Sequence, residues 1–217
     1  MKVQSLKILL VEDNVAEREL VEIFLEQQLG NSFAIENTTH LVAALRKLER
    51  GIFDVILLDL HLPDSSGLAT FREVHARAGQ IPIVILSGAD DVDDALSAVR
   101  MGAQDYLVKG KTDSYLLVNS LRFAVERVSR LKKYQAERDK ITQEISEITS
   151  RFPKLTPRER EVLELIADGK TIKQIALALG TSYNTVKNQR AAIQEKLHAV
   201  SEADLIRMVL IVRFGGK

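Results

Sequence analysis

The chain contains no cysteine and no tryptophan, and its 30 Lys+Arg balance 30 Asp+Glu to a formal net charge of zero. Without cysteine there is no disulfide framework, no thiolate metal site and no thiol catalysis. Long apolar runs are missing too. Runs such as Ile8 to Val11, Val55 to Leu58 and Ile83 to Leu86 are strand-sized, far below the roughly 18 residues that span a bilayer. No apolar signal region opens the chain, so a soluble cytoplasmic protein with no membrane partner is expected. The four histidines, His40, His61, His75 and His198, are isolated in sequence and lack zinc-ligand spacing. What is present is 217 residues at 46% hydrophobic composition, enough for one large domain or two small ones, each with a core of its own.

The zero net charge hides an asymmetry. Residues 1–122 carry 12 Lys+Arg against 18 Asp+Glu, a net of −6, whereas residues 123–217 carry 18 against 12, a net of +6. An acidic module suited to cations precedes a basic module suited to a polyanion.

From Lys7 to Lys109 short β-branched runs alternate with helix-period stretches. Strands are expected at Lys7 to Val11, Phe33 to Glu36, Val55 to Leu58, Ile83 to Leu86 and Tyr106 to Val108. Helices are expected at about Val15 to Leu29, Leu41 to Glu49, Leu68 to Ala78, Val92 to Met101 and from Ser114 onward. Strands that are apolar on both faces and separated by helices make a doubly wound five-stranded parallel sheet. Phe24, Leu45, Phe71 and Leu96 then belong to the helix core. The acidic run Asp90-Asp91-Val92-Asp93-Asp94 reads as a cap and first-turn charge on the fourth helix.

Ligands in open α/β sheets bind outside the carboxyl ends of the strands. Here those ends carry Glu12-Asp13, Asp59, Ser87-Gly88 and Lys109-Gly110. Any one of the acidic or hydroxyl residues alone would serve as a helix cap; four loaded strand ends in one sheet point to a site. Three carboxylates on one rim repel unless a cation lies among them, and an all-oxygen set favours a hard ion such as Mg2+. Lys109 and Ser87 are suited to hold phosphoryl oxygens. Asp59, leaving the central strand of the set, is the natural nucleophile, since a carboxylate can form an acyl phosphate.

Four segments carry a family resemblance: Ile8-Leu9-Leu10-Val11-Glu12-Asp13-Asn14, Leu58-Asp59-Leu60-His61-Leu62-Pro63-Asp64-Ser65-Ser66-Gly67, Leu86-Ser87-Gly88-Ala89 and Tyr106-Leu107-Val108-Lys109. In order and spacing, over about residues 5–125, they resemble the receiver domain of two-component response regulators, a flavodoxin-like fold. The resemblance implies that Asp59 accepts a phosphoryl group from the phosphohistidine of a sensor histidine kinase. It implies that Glu12, Asp13, Asp59 and the backbone carbonyl of His61 bind Mg2+, and that Ser87 and Tyr106 form a switch pair. A new dianion on Asp59 would attract Ser87 and Lys109 and leave a void for the Tyr106 ring; as a residue, Tyr106 is equally an ordinary half-buried sheet aromatic.

Residues 114–150 hold no Gly or Pro, so one long helix or two abutting ones follow the sheet. Leu117, Ala124, Leu131, Arg138 and Ile145 repeat every seven, with Tyr134, Ile141 and Ile148 as a second seam, while Leu121, Val125 and Val128 suit packing onto the receiver. The expectation is a helical linker over 123–151, with a homodimer forming on activation or through residues 117–148; a monomeric helix with a solvated charged face is the alternative.

Beyond Pro153, Thr156 is a good N-cap, Pro157 takes the first helical position and Glu159 the capping-box position. Val162, Leu163, Leu165 and Ile166 form its apolar face before Asp168-Gly169. A second helix carries Ile172, Ile175, Ala176 and Leu179 up to Gly180, and Thr181-Ser182 restarts a third after a tight turn, a helix-turn-helix. Val186, Ile193 and Leu197 share its inner face. Asn184, Lys187, Asn188, Ala191 and Glu195 point away, with Arg190 and Gln194 on the flanks. With the turn residues Thr181 and Ser182 and with Thr185, this surface suits double-stranded promoter DNA in the major groove.

Residues 152–217 form this all-α unit. Leu155-Thr156-Pro157-Arg158-Glu159, Lys173-Gln174-Ile175-Ala176, Thr185-Val186-Lys187 and Lys196-Leu197 resemble the LuxR-type helix-turn-helix of the NarL/FixJ response regulators. That resemblance implies base-facing roles for Lys187, Asn188 and Ala191, and pairing of two DNA-binding domains through the helix Glu202 to Val212. Ile172 stands where many members have Asn, and Gln189 where many have His. The expected whole is a receiver over 1–122, a linker over 123–151 and a DNA reader over 152–217: a transcription regulator controlled by phosphorylation, not an enzyme on external substrates. An aspartyl-phosphate hydrolase and a constitutive DNA-binding dimer with a docking-only receiver are the rivals.

Overall fold

The structure is a computed structural model that describes residues 5–88 and 92–214, without the side chains of Val92 and Ala95. Ala89 of the Ser87 segment, and Asp90 and Asp91 of the acidic run, lie outside the described residues. Asp93 and Asp94 fall in the first turn of their helix.

The chain divides into two compact units, one up to Lys133 and one from Tyr134. In the first, β1 (Leu6–Val11), β2 (Phe33–Thr38), β3 (Val55–Leu58), β4 (Ile83–Ser87) and β5 (Asp105–Val108) alternate with α1 (Val15–Leu29), α2 (Leu41–Arg50), α3 (Leu68–Ala78) and α4 (Val92–Arg100). The long helix α5 (Ser114–Arg151) follows. The sheet runs β2-β1-β3-β4-β5 with every pair parallel, so β3 is central and Asp59 leaves its middle.

The two-residue strand period explains why these strands are apolar throughout. Leu9, Val11, Ile56, Leu58, Ile83 and Ile85 face Leu41, Ala44, Phe71, Val74 and Ala98 of α2, α3 and α4. Their neighbours Ile8, Leu10, Val55, Leu57, Val84 and Leu86 face Val21 and Leu25 of α1 and Leu117, Leu121 and Ala124 of α5. Each fully buried Leu or Ile side chain contributes about 1.5 to 3 kcal/mol of transfer free energy.

Phe71 is buried, and Phe24 and Leu45 pack against the two cores from partly buried positions. Leu96 does not: it is 56% exposed. Ala98 makes the inward contact of α4, and two residues along a helix is a turn of about 200°, which sends Leu96 outward.

The connector is one continuous helix of 38 residues. The heptad seam expected over 117–148 is cut back at both ends, because Leu117 and Ala124 are consumed by the receiver core and Ile148 by the core of the second unit. Leu131, Tyr134 and Ile141 remain exposed.

In the second unit a 3-10 turn (Phe152–Lys154) leads to α6 (Pro157–Ala167), α7 (Ile172–Ala178), α8 (Tyr183–Leu197) and α9 (Glu202–Phe214). Val162, Ile166, Ile175, Val186, Ile193, Leu197 and Leu205 build its core. Thr156 caps α6 and Thr171 caps α7, each in a reciprocal capping box, with Glu159 and Gln174. Between α7 and α8, Gly180 takes φ +60°, a left-handed conformation open to glycine without steric cost, which ends α7 and lets α8 begin after a short turn. No helix among the described residues is long and apolar enough to cross a membrane.

Candidate phosphoacceptor site and nucleic-acid interface

The carboxyl ends of β1 and β3 bring Glu12, Asp13 and Asp59 together, with one carboxylate oxygen of each within 4.8 Å of the others. Glu12 and Asp59 are buried and Asp13 is exposed. From the end of β5, the Lys109 ammonium lies 2.6 Å from Asp59 Oδ2 and 2.6 Å from Glu12 Oε2. Ser87, at the end of β4, donates through Oγ to Asp59 Oδ1 at 3.2 Å, and the His61 N–H donates to the same oxygen at 3.1 Å. All the strand-end residues expected on one rim do converge around Asp59.

The electrostatics are unbalanced. Burial, then the neighbouring charge of Asp59, pushes the Glu12 carboxyl above its ordinary range despite the Lys109 contact. Burial works to lower the Lys109 pKa, and hydrogen bonds to Asp59 and Glu12 overcome it, so the ammonium is held above its ordinary value. One ammonium among three carboxylates leaves an excess of negative charge at an opening with oxygen donors only. That donor set fits a hard divalent cation and not a thiolate- or imidazole-loving one.

Tyr106 resolves into more than a sheet aromatic. Its half-buried ring packs against the α2/α3/α4 face of the core, and its hydroxyl donates to the Gly88 carbonyl at 2.9 Å. The ring is thereby tied to the residue after Ser87.

Three residues that sequence reasoning passed over hold this site's loops. Arg18 Nη1 donates to the carbonyls of Glu12 and Asp13 at 2.9 and 2.8 Å. Asp64 accepts from the N–H groups of Leu41 and Val42 at 2.8 and 3.1 Å, capping α2 where His40 makes no side-chain cap. Thr70 donates to the Leu60 carbonyl at 2.8 Å from a fully buried position. In sequence Arg18 is a helix-surface cation and Asp64 a turn residue. Only the non-local partner of Asp64 distinguishes it, and no local signal carries that.

On α8, Asn184, Lys187, Asn188, Ala191 and Glu195 are exposed, while Val186, Ile193 and Leu197 are fully buried. Ser182 and Thr185 are engaged with each other: Ser182 Oγ accepts from the Thr185 N–H at 3.1 Å, and the two hydroxyls lie 2.8 Å apart. Thr181 is half-buried in the turn. Arg190 is paired with Glu202 at 3.0 Å. Lys196, on the same helix, reaches both oxygens of the buried Glu159 at 2.7 Å. This contact, above all, and the Thr156 N–H hold the Glu159 carboxyl below its ordinary range. It was not anticipated, because Glu159 and Lys196 are 37 residues apart. Leu210, Val212 and Phe214 of α9 are exposed, with Leu210 and Phe214 one turn apart on the same side of the helix.

A parallel α/β sheet with an acidic pocket at its central strand, followed by a helix-turn-helix with an exposed polar recognition face, defines a receiver-containing DNA-binding regulator. The comparisons agree. The response regulator receiver domain family matches residues 8–120, and the luxR family of bacterial regulatory proteins matches residues 153–209. The transcriptional regulatory protein FixJ of Azorhizobium caulinodans is 32% identical over 211 residues, which covers 96% of this chain and 93% of that one. FixJ of Bradyrhizobium diazoefficiens is 27% identical over 94% of both chains. The crystal structure of full-length FixJ from B. japonicum superposes with a TM-score of 0.54 at 26% identity, covering 97% of this chain and 98% of that one. The chain belongs to the NarL/FixJ family of response regulators, transcription factors that join a receiver to a LuxR-type helix-turn-helix.

Proposed function

We propose that this regulator is controlled by transfer of a phosphoryl group from the phosphohistidine of a sensor histidine kinase to Asp59, and that it binds promoter DNA through α8. The observation that carries the reading is the setting of Asp59: one oxygen on Lys109, the other on Ser87 and the His61 N–H, with Glu12 and Asp13 alongside. In the transfer an N–P bond breaks and an O–P bond to the Asp59 carboxylate forms. Lys109 holds one phosphoryl oxygen by charge and Ser87 another by its hydroxyl. Glu12, Asp13, Asp59 and the backbone carbonyl of His61 would hold Mg2+, which when bound would offset the carboxylate charge against the entering dianion.

The signal leaves the site through Ser87. Its movement toward the phosphoryl group draws the Gly88 backbone, to which the Tyr106 hydroxyl is bonded, so the ring follows. Residues 1–122 act as phosphoacceptor, 123–151 as connector and 152–217 as DNA reader. Lys187, Asn188 and Ala191 meet base edges, and Thr181, Ser182, Asn184, Thr185 and Arg190 the backbone; Arg190 must leave Glu202 to do so. Two copies associate on activation through the exposed face of α9 and the positions of α5 left free of both cores, Leu131, Tyr134 and Ile141. The protein works in the cytoplasm, beside its kinase and its DNA.

The test is incorporation of labelled phosphate from acetyl phosphate with Mg2+. Wild type is expected to form an alkali-labile adduct at Asp59, and Asp59→Asn none. Equal labelling of that variant would overturn the assignment.

A further inference from the structure

The acidic pocket is held from outside by a residue that touches neither the expected cation nor the phosphoryl group. Glu12 and Asp13 lie just past β1, where the sheet ladder ends: its last bonds here are the Asp59 N–H donating to the Val11 carbonyl and the Glu12 N–H donating to the Thr38 carbonyl, both at 2.9 Å, and neither uses the carbonyl of Glu12 or Asp13. The next two carbonyls need donors from elsewhere, and Glu12 is buried. Arg18, half-buried on the first turns of α1, supplies both from a single nitrogen, Nη1, at 2.9 and 2.8 Å. Its backbone N–H meanwhile bonds the Asn14 carbonyl at 3.1 Å, and Asn14 caps the same helix while donating its own N–H to Glu12 Oε1 at 3.1 Å. The backbone of the Glu12-Asp13 arm is thus pinned to α1 at three successive residues.

We infer that Arg18 is a positioning residue for divalent-cation binding, its guanidinium fixing the Glu12-Asp13 backbone so that the two carboxylates are presented together with Asp59. The inference rests on the reading of the Glu12, Asp13 and Asp59 cluster as the cation site. It has an unusual sign. As a charge, Arg18 opposes a cation next to it, so its removal should tighten binding on electrostatic grounds alone. As a clamp, it lowers the freedom of two ligands, and its removal should loosen binding, since groups that orient ligands from outside the coordination sphere typically set affinity by about tenfold or more. The two effects run in opposite directions, and the clamp is the larger because the guanidinium is already engaged by two carbonyl dipoles.

The test is Mn2+ titration of the full chain, followed by the electron paramagnetic resonance of the free ion, for wild type, Arg18→Met, Arg18→Lys and Asp13→Asn. Arg18→Met is expected to weaken Mn2+ binding by about tenfold. Arg18→Lys, which keeps the charge but not the planar fork, should weaken it by about threefold and keeps the test usable if the methionine variant does not fold. Unchanged or tighter binding in both variants would overturn the inference, as would a fall in melting temperature with no change in Mn2+ affinity. Asp13→Asn separates the two layers. If it weakens Mn2+ while the Arg18 variants do not, the positioning role alone fails; if it too has no effect, the cation site itself is misassigned and the inference falls with it.

Discussion

Glu159 makes the α6 capping box and the tie to α8 with one carboxylate. Its oxygens accept from the Thr156 N–H at 2.7 Å and from Lys196 at 2.7 Å, and its side chain is 9% exposed while that of Lys196 is 36% exposed. Glu159→Gln keeps the box chemistry, because Gln serves at that position, and removes the charge-assisted bonds. Such bonds are worth about 1.5 to 3 kcal/mol when protected; with the partner this exposed, about 1 kcal/mol is expected. Glu159→Ala loses the box as well, for about 2 kcal/mol in all. In a unit of this size that is a fall of about 10 °C in the melting temperature.

The assay is differential scanning calorimetry at pH 7 on wild type, Glu159→Gln, Lys196→Met and the double variant. A coupling of about 1 kcal/mol is expected, and one below about 0.3 kcal/mol would refute the reasoning. The carboxyl is depressed in the folded state, so its contribution is fully present above the ordinary value of 4.5 and is lost as pH falls through the folded value. The gap between wild type and Glu159→Gln should therefore narrow as pH falls below 4.5. A gap that stays constant as the solution is acidified below 4.5 would contradict the ion pair.

Two further outcomes separate core from surface and phosphate from base contact. Phe71→Ala should cost the receiver about 3 to 5 kcal/mol in urea denaturation, whereas Leu96→Ala should stay within about 0.5 kcal/mol; comparable losses would mean that α4 packs the other way round. On a duplex selected from a random pool, anisotropy titrations of Arg190→Ala should show weaker binding with a salt slope lower by about one. Asn188→Ala should cost about 1 to 3 kcal/mol on the selected sequence and little on a scrambled one, and equal losses on both would remove Asn188 from base reading.

The strand and helix bounds were legible because strand and helix periods differ. Val15–Leu29, Leu68–Ala78 and Val55–Leu58 begin and end where the apolar pattern placed them. Leu96 was not legible in that way, since an amphipathic helix with several apolar letters does not say which of them faces inward; Ala98 took that place, fully buried in the core, and Leu96 was left exposed. Leu117 and Ala124 fitted a heptad as well as they fitted the receiver, and the sheet claimed them. The pocket was readable because its members sit at strand ends, where topology forces proximity. Its supports were not: Asp64 works through an α2 terminus more than 20 residues earlier, and Glu159 through Lys196, 37 residues later.

By itself the sequence determined that an α/β module precedes an all-α one, that Glu12, Asp13, Asp59, Ser87 and Lys109 stand at strand ends, and which face of α8 looks outward. All of these follow from periodicity and from residues at element ends, which are local quantities. Only the tertiary structure decided that Tyr106 is bonded to Gly88, that Arg18 clamps the Glu12-Asp13 backbone, that Arg190 is held by Glu202, and that the connector gives both its ends to the two cores. Each of those is a pairing between groups whose partners are set by packing, and one-dimensional patterns carry the demand for a partner without saying which group meets it.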